Sequence, residues 1–259
     1  MKVQYKGIEV FYSDEGHGDA ILLLHGFLEN SSMWNSLKYD LLKTHRVICV
    51  DLLGHGRTAS LGNLHKMEEM AAAVESVVDH LGLEKVILFG HSMGGYVSLA
   101  FAELFPYYLK GLVLINSTPL PDSKEKRLAR DRAIEAATRN KGLFISMTIP
   151  NLFADKNHHQ LKKEIQLTKD AALQTSLQGI VAALAGMKVR KNRLGLLKKI
   201  NCRKMIVIGR NDAAIDVSSL DKAVRDVAIE VVEFSDGHMS HIENKTELSY
   251  ACVHFIENI

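Results

Sequence analysis

The stretch "KVILFGHSMGG" (residues 85–95) joins a run of strand-forming residues to a serine that stands among three glycines. A plain turn needs only one glycine or an Asn-Gly pair. A serine that projects from the end of a strand has a strained backbone, and side chains two positions before and after it would collide. Glycines at positions 90 and 94 remove these collisions, so the stretch predicts a strand–turn–helix unit that presents Ser92 as a nucleophile.

The rest of the chain repeats this strand-then-helix pattern. Helical patterns such as "HKMEEMAAAVESVVDHLGL" and "GYVSLAFAELFPYYL" lie between apolar runs. The first two runs are close together and partly alternate, as in an antiparallel hairpin, whereas the later ones are continuous, as in a sheet covered on both faces. The prediction is an α/β fold with a mostly parallel eight-stranded sheet flanked by helices. The eight runs are "VQY", "IEVFYS", "AILLLHG", "RVICVDL", "KVILFG", "GLVLINS", "KMIVIG" and "IEVVEFS".

The alternation is interrupted once, between the sixth and seventh predicted strands. Over residues 119–197 helix formers and basic residues dominate. The segments "DSKEKRLARDRAIEAATRNKGLF" and "KKEIQLTKDAALQTSLQGIVAALAGM" each read as a helix. We therefore expect a core made of residues 1–118 and 198–259, and an α-helical lid at 119–197 inserted after the sixth strand.

The charges are distributed unevenly along the chain. The net charge is only +2, and 47% hydrophobic with 24% charged residues is ordinary for a globular protein. Between Asp122 and Lys199, however, there are 17 Lys/Arg and 7 Asp/Glu residues. This basic segment has two interpretations: solvated helix faces attracted to an acidic core, or a basic mouth for anionic substrates. Nothing in this balance calls for a nucleic-acid partner, and none is predicted.

Cysteine usage and hydropathy bear on the compartment. The three cysteines, Cys49, Cys202 and Cys252, are odd in number and have no CxxC spacing. They suggest no disulfide framework, which favours a reducing compartment. The first residues contain no apolar signal-peptide segment, and no apolar run approaches the roughly 18 residues of a membrane span. The expectation is a cytoplasmic protein without a membrane partner; the sequence does not indicate an oligomeric state.

Four blocks, in the same order, give the chain a resemblance to the α/β-hydrolase superfamily that covers nearly its whole length. They resemble the oxyanion loop, the Asp-x-x-Gly-His-Gly turn, the nucleophile elbow and the block of the catalytic histidine. The blocks are "LLLHGF" (22–27), "DLLGHGRT" (51–58), "GHSMGG" (90–95) and "GHMSHIEN" (237–244). The resemblance implies a Ser-His-Asp hydrolase with Ser92 as its nucleophile.

The base must be chosen among twelve histidines. The family places a glycine directly before it, which favours His238 after Gly237 at the end of the last predicted strand. His241, three residues further on, is the alternative. The resemblance implies structural roles in strand-end loops for three other histidines, His25, His55 and His91.

Three carboxylates compete for the role of the acid. The family's Gly-x-x-Asp spacing matches Gly209 and Asp212 after the seventh predicted strand. Asp216 is interpreted as a helix-start residue. Some relatives carry the acid after the sixth strand, where Asp122 is the alternative. With Asp212, the chain order is nucleophile, acid, base, as expected for this fold.

The oxyanion of an acyl-transfer reaction needs N–H donors. One is the backbone N–H of Met93, directly after the nucleophile, and the resemblance implies the N–H of Phe27 as the other. Apolar residues of the elbow and the lid are expected to line a substrate pocket, although the alternative is that they only pack in the core. The predicted pocket residues are Phe27, Tyr96, Phe144 and Met147.

The functional expectation is a carboxylesterase that cleaves small or medium acyl esters. No cofactor is predicted, and no metal, because the chain has neither H-E-x-x-H nor paired cysteine ligands. One alternative is a C–C bond hydrolase or lyase acting on an anionic small molecule, which the basic segment would suit. The related synthase branch that makes a menaquinone precursor often has arginine where this chain has Tyr96. The other alternative is a non-catalytic ligand receptor that kept the triad.

Overall fold

The computed structural model describes residues 1–259 and contains one eight-stranded sheet. Its spatial order is β1-β2-β4-β3-β5-β6-β7-β8. The strands are β1 (Lys2–Tyr5), β2 (Ile8–Glu15), β3 (Ala20–Leu24), β4 (Arg46–Val50), β5 (Val86–His91), β6 (Leu109–Ile115), β7 (Arg203–Gly209) and β8 (Glu230–Phe234).

The sheet is antiparallel only at β1 and β2; all pairings from β3 to β8 are parallel. The central strands are buried on both faces, with Leu22 and Leu24 of β3 packing into one hydrophobic cluster and Ile21 and Leu23 into another. This burial explains the continuous apolar runs in the sequence. The predicted fold class, including the eight strands and the opening hairpin, is confirmed.

Helices cover both faces of this sheet. None of them combines the length and apolar character that crossing a membrane requires. The helices are α1 (Asn35–Leu41), α2 (Met67–His80), α3 (Met93–Leu104), α4 (Lys124–Arg139), α5 (Lys141–Thr148), α6 (Lys162–Leu173), α7 (Leu177–Lys188), α8 (Leu194–Lys199), α9 (Val217–Val224), α10 (Ser240–Glu243) and α11 (Lys245–Ile256).

Between β6 and β7 the chain forms helices α4 to α8 and no strand. The sequence expectation of two continuous helices was wrong, because each segment is divided by a capping residue. Asn140 has an extended backbone and its side chain accepts a hydrogen bond from Leu143 N–H. Ser176 does the same for Gly179 N–H. Such local hydrogen bonds end one helix and begin the next. The boundary expected at residue 197 falls inside α8.

Helix α7 fixes this helical segment to the rest of the protein. A Cβ atom on Gly179 would overlap the carbonyl of Gly54, and one on Gly186 would overlap the carbonyl of His65. Ala182 also accepts a hydrogen bond from His65 N–H at 3.0 Å. Helix α4 packs against α7, and residues of both helices lie in the same cavity as Ser92, at the carboxyl end of β5.

Candidate active site

Ser92 lies between the end of β5 and the start of α3. Its φ is 50° and its ψ is −115°, a strained conformation for a residue with a side chain. A Cβ on Gly90 would come within 2.5 Å of the Gly94 carbonyl carbon. Glycine is therefore required here by the close approach of the strand end to the first turn of the helix.

Ser92, His238 and Asp212 form one hydrogen-bonded chain. The distance from Ser92 Oγ to His238 Nε2 is 2.8 Å, and that from His238 Nδ1 to Asp212 Oδ2 is 2.7 Å. The other carboxylate oxygen of Asp212 accepts the N–H groups of Ala214 and Ile215. In the neutral tautomer protonated at Nδ1, His238 donates to Asp212 and can accept the proton of Ser92. The three residues predicted from widely separated parts of the sequence thus meet.

Asp212 is buried but remains easily ionised. Burial on its own would raise the pKa of this carboxyl, but the charge of His238 and the hydrogen bonds from His238, Ala214 and Asn116 outweigh it and lower the pKa below its usual value. Asn116 Nδ2 donates to Asp212 Oδ2 and to the carbonyl of Gly237, both at 3.2 Å. A negatively charged Asp212 is thus available to His238.

The two other candidates for the acid, Asp216 and Asp122, have other partners. Asp216 is the N-cap of α9 and accepts a hydrogen bond from Ser219 N–H, as its interpretation from sequence required. Asp122 forms an ion pair with Arg190 at 2.5 Å. It is not a hydrogen-bond partner of His238.

Two backbone N–H groups near Ser92 have no acceptor within the protein. They belong to Phe27 and to Met93, the two predicted oxyanion donors. Met93 is the first residue of α3, where N–H groups lack intrahelical partners and the helix dipole is positive. Leu28, directly after Phe27, has a φ of 63°, which marks a sharp turn there.

Glu29 links its own loop to the end of β5 through a buried ion pair, and His91 continues the link to the loop of His238. Its Oε2 accepts the N–H of Gly26 at 2.7 Å and lies 2.8 Å from His91 Nδ1. His91 Nε2 lies 2.9 Å from the carbonyl oxygen of His238. Both ring nitrogens of His91 therefore face acceptors. Burial opposes a charge on His91, but Glu29 and the His238 carbonyl outweigh it and raise the pKa of His91.

His241 lies beside this pair rather than beside Ser92. Its Nε2 is 3.5 Å from Glu29 Oε1, and burial lowers its pKa to about 4. We call Glu29, His91 and His241 the Glu29 cluster. Their potential ligand atoms lie within 4.8 Å of one another. Because both nitrogens of His91 face acceptors, that ring has no free lone pair for a metal ion.

The loop that carries His238 is also held from the helical segment. The N–H of His238 donates to the carbonyl of Leu152 at 2.7 Å. Glu243 accepts the N–H of Gly237 through Oε2 and that of Ala154 through Oε1. The position of His238 thus depends on residues 152–154 as well as on the core.

Above Ser92 there is a cavity of about 300 Å³ in which twelve of the nineteen lining residues are hydrophobic. Phe27, Tyr96 and Phe144 line it, as expected from the sequence. Met147 does not, and its placement in the pocket was wrong. Its side chain is 64% exposed and lines an outer groove instead.

The difference between Phe144 and Met147 follows from the helical repeat. Phe144 and Thr148 are four residues apart on α5 and both line the cavity. Leu143 and Met147 form the neighbouring row on the same helix and line the outer groove. The sequence identified an apolar helix but not which of its rows faces inward.

Comparisons with known proteins agree with this fold. The sequence model of the alpha/beta hydrolase fold family matches residues 19–136. A thermophilic esterase from Thermogutta terrifontis, solved with malate bound, is 29% identical and superposes with a TM-score of 0.93, covering 100% of this chain and 98% of that one. The chain belongs to the α/β-hydrolase superfamily.

Two curated relatives of this α/β hydrolase are named for reactions other than that of an esterase. A Bacillus subtilis protein, provisionally named 2-succinyl-6-hydroxy-2,4-cyclohexadiene-1-carboxylate synthase, is 28% identical over 92% of this chain and 90% of its own length. The Escherichia coli 2-hydroxy-6-oxononadienedioate/2-hydroxy-6-oxononatrienedioate hydrolase is 27% identical over 97% of this chain and 92% of its own length. Proteins similar to this chain are therefore named for more than one kind of reaction.

A second group of charges, two of them buried and two half-buried, lies at the cavity of this α/β hydrolase. Lys126 and Arg130, one turn apart on α4, are lining residues. Asp122 contacts Arg130 at 3.1 Å and Arg190 at 2.5 Å. The guanidinium of Arg190 also lies 4.1 Å from the ring centre of Tyr96. We call Asp122, Lys126, Arg130 and Arg190 the Asp122 cluster.

Several residues around the site were not identified from the sequence. Asn116 and Glu243 form hydrogen bonds that hold the acid and the base loop, and Glu29 pairs with His91. Polar residues directly after parallel strands, such as Asn116, are a signal that could have been used. For Lys126 and Arg130 the signal was the basic segment, whose inward-facing members the sequence did not distinguish.

Proposed function

We propose that this α/β hydrolase is a carboxylesterase that cleaves small or medium acyl esters. The observation that carries the proposal is the hydrogen-bonded chain from Ser92 through His238 to Asp212 at the wall of a mostly apolar cavity. The similarity to the Thermogutta terrifontis esterase supports it.

In the acylation step, Ser92 Oγ attacks the ester carbonyl carbon while its proton passes to His238 Nε2. Asp212 stabilises the resulting imidazolium through Nδ1. The carbonyl oxygen becomes an oxyanion, which accepts the free N–H groups of Phe27 and Met93. The bond to the alkoxy oxygen then breaks, and His238 returns the proton to the departing alcohol.

Water reverses this sequence in the second half of the reaction. His238 removes a proton from the water molecule, whose oxygen attacks the acyl carbon bound to Ser92. Collapse of the second tetrahedral intermediate breaks the bond to Oγ, and Ser92 recovers its proton. The products are a carboxylic acid and an alcohol. In this proposal residues 119–197 act as a lid, because Phe144 and Leu184 of that segment line the cavity.

The test compares the wild type with Ser92→Ala on p-nitrophenyl acetate and butyrate. We expect kcat/KM to fall at least about 10³-fold, because no other group supplies the nucleophile. Denaturant unfolding of both proteins checks that the fold is retained. Equal rates in the two proteins, or no turnover by the wild type on an acyl series, would favour a ligand receptor and overturn the proposal.

C–C bond hydrolysis of an anionic substrate is a second candidate function. It is favoured by the name of the Escherichia coli relative, which describes a dioate substrate, and by the cations Lys126 and Arg130 in the cavity. Assaying esters and anionic 1,5-diketones side by side distinguishes the two. If the diketones are turned over faster than the esters, and in a Ser92-dependent way, C–C bond hydrolysis replaces ester hydrolysis as the assigned function.

A further inference from the structure

The cavity wall formed by α4 carries more positive charge than the protein neutralises. Lys126 and Arg130 both line the cavity together with Ser92. The carboxylate paired with this wall is Asp122, and it is shared with Arg190. The Asp122 cluster therefore has three cations and one anion.

The hydrogen bonds show which of these cations is already satisfied. Arg190 donates to Asp122 Oδ1, to the carbonyl of Met187 and to that of Leu120. Arg130 donates to Asp122 through Nε only. Its two terminal amino groups have no acceptor in the protein, although only 15% of the side chain is exposed.

Lys126 likewise has N–H donors that lack an acceptor in the protein. Its ammonium group donates to a single acceptor, the carbonyl of Ala214, and an ammonium group has three N–H donors. Burial, followed by the neighbouring Arg130, lowers the pKa of Lys126. A partly buried cation without a counter-ion is costly to the folded protein, and a bound anion would remove that cost.

We propose that Lys126 and Arg130 bind a carboxylate of the substrate, so that the preferred ester is a half-ester of a dicarboxylic acid. This inference rests on the proposed esterase function and specifies its substrate class. The two oxygens of a carboxylate match two cations one helical turn apart, and the planar guanidinium edge suits them. The remaining apolar lining leaves room for a short hydrocarbon chain between the carboxylate and the ester.

The outer groove extends the positive surface towards solvent. Arg132 and Arg139 of α4 line this groove, and it shares Phe144 and Leu152 with the cavity. A path lined by one sign of charge raises the local concentration of ligands of the opposite sign. The same helix thus offers both an approach and a binding point for an anionic substrate.

The main test compares two esters of equal chain length: the p-nitrophenyl half-ester of glutarate and neutral p-nitrophenyl valerate. We expect the wild-type kcat/KM to be at least about tenfold higher for the half-ester, since each charge-assisted hydrogen bond is worth about tenfold or more. Lys126→Met and Arg130→Gln should each lower the half-ester to valerate ratio about tenfold, mainly through a higher KM for the half-ester.

Two matched controls remove a cation from the exposed surface of the same helix. Lys124 and Arg127 are exposed and lie outside the cavity lining. Lys124→Met and Arg127→Gln should leave the ratio and the valerate activity unchanged. An equal fall of the ratio in these controls would show that long-range charge, rather than contact, causes the preference, and would overturn the proposal.

A binding experiment separates this inference from the esterase proposal. Calorimetry with Ser92→Ala should show binding of monomethyl glutarate, weaker binding of dimethyl glutarate, and at least tenfold weaker half-ester binding when Arg130→Gln is added. If this pattern holds but esters are not hydrolysed, the carboxylate site stands and the esterase function fails. If esters are hydrolysed without a half-ester preference, or inorganic phosphate binds as tightly as the half-ester, the carboxylate proposal is wrong.

Discussion

Two charge clusters each contribute two residues to the lining of the same cavity, and they differ in how they balance their charges. In the Glu29 cluster one carboxylate faces His91, whose pKa is raised, and His241, whose pKa is lowered to about 4. In the Asp122 cluster one carboxylate faces two guanidinium groups and a lysine. The first cluster can be neutral as a whole, whereas the second keeps a positive surplus.

The difference arises from the chemistry of the cations. An imidazole can release its proton near neutral pH, but a guanidinium in a protein cannot. Histidine therefore suits a buried connection between loops, because its charge adjusts to the carboxylate beside it. Arginine keeps its charge when buried, and the surplus must be met by an anion from outside. We read the Glu29 cluster as a scaffold and the Asp122 cluster as a binding surface.

The largest loss in the free energy of unfolding is expected for Asp122→Asn. This change leaves Arg190, whose side chain is 3% exposed, without its carboxylate. Removing one partner of a buried ion pair costs about 3–5 kcal/mol when the remaining charge cannot be released. Urea unfolding at pH 7 with an unchanged m-value measures this loss. A loss below about 1 kcal/mol would show that solvent already screens the cluster.

Glu29→Gln is expected to lower the free energy of unfolding by less than Asp122→Asn does, although Glu29 and His91 are as deeply buried as Asp122 and Arg190. His91 can lose its proton once the carboxylate is gone, so the cost is that of unsatisfied hydrogen bonds, about 1–3 kcal/mol. The same urea experiment compares the two variants directly. A cost equal to or above that of Asp122→Asn would contradict the distinction between histidine and arginine clusters.

The pH dependence of the stability difference between wild type and Glu29→Gln should reveal the proton on His91. Below about pH 6.5 His91 is protonated in the unfolded and folded chains alike, so the pair with Glu29 contributes in full. As the pH rises through the raised pKa of folded His91, the proton and its contribution are lost. The stability gap between wild type and Glu29→Gln should narrow from pH 6.5 towards 9.

The corresponding gap for Asp122→Asn provides the reference. It should narrow less over this range, because neither the carboxylate of Asp122, with its lowered pKa, nor a guanidinium titrates there. Lys126, whose pKa is lowered, is the one member of the cluster that can lose a proton as the pH rises. Parallel narrowing of both gaps would mean that the alkaline change has a cause outside the Glu29 cluster.

The smallest change in the free energy of unfolding is expected for Arg127→Gln on the exposed surface of α4. This variant removes one positive charge, as Arg130→Gln does in the Asp122 cluster, but from a residue exposed to water. Surface substitutions of this kind change the free energy of unfolding by no more than about 0.5 kcal/mol. A larger loss would indicate that net charge, rather than burial, controls the stability of the helical segment.

The sequence alone determined the features whose causes are local. Apolar runs of strand length and helical repeats predicted the sheet, because burial on both faces dictates residue type along each element. The glycines around Ser92 predicted the turn, because the collision that they avoid involves neighbours in the chain. Within 119–197 the same local reasoning found helices but missed the caps at Asn140 and Ser176, since a capping side chain can equally lie inside a helix.

Only the tertiary structure decided which distant residues meet. The sequence offered Asp122, Asp212 and Asp216 as acids, and the fold brought Asp212 to His238. It also joined Glu29 to His91 across 62 positions of the chain. The side of α4 and α5 that faces the cavity, which includes Arg130 and excludes Met147, was likewise set by packing on the core. Periodicity describes the rows of a helix, but the surface against which the helix packs determines which row becomes the site.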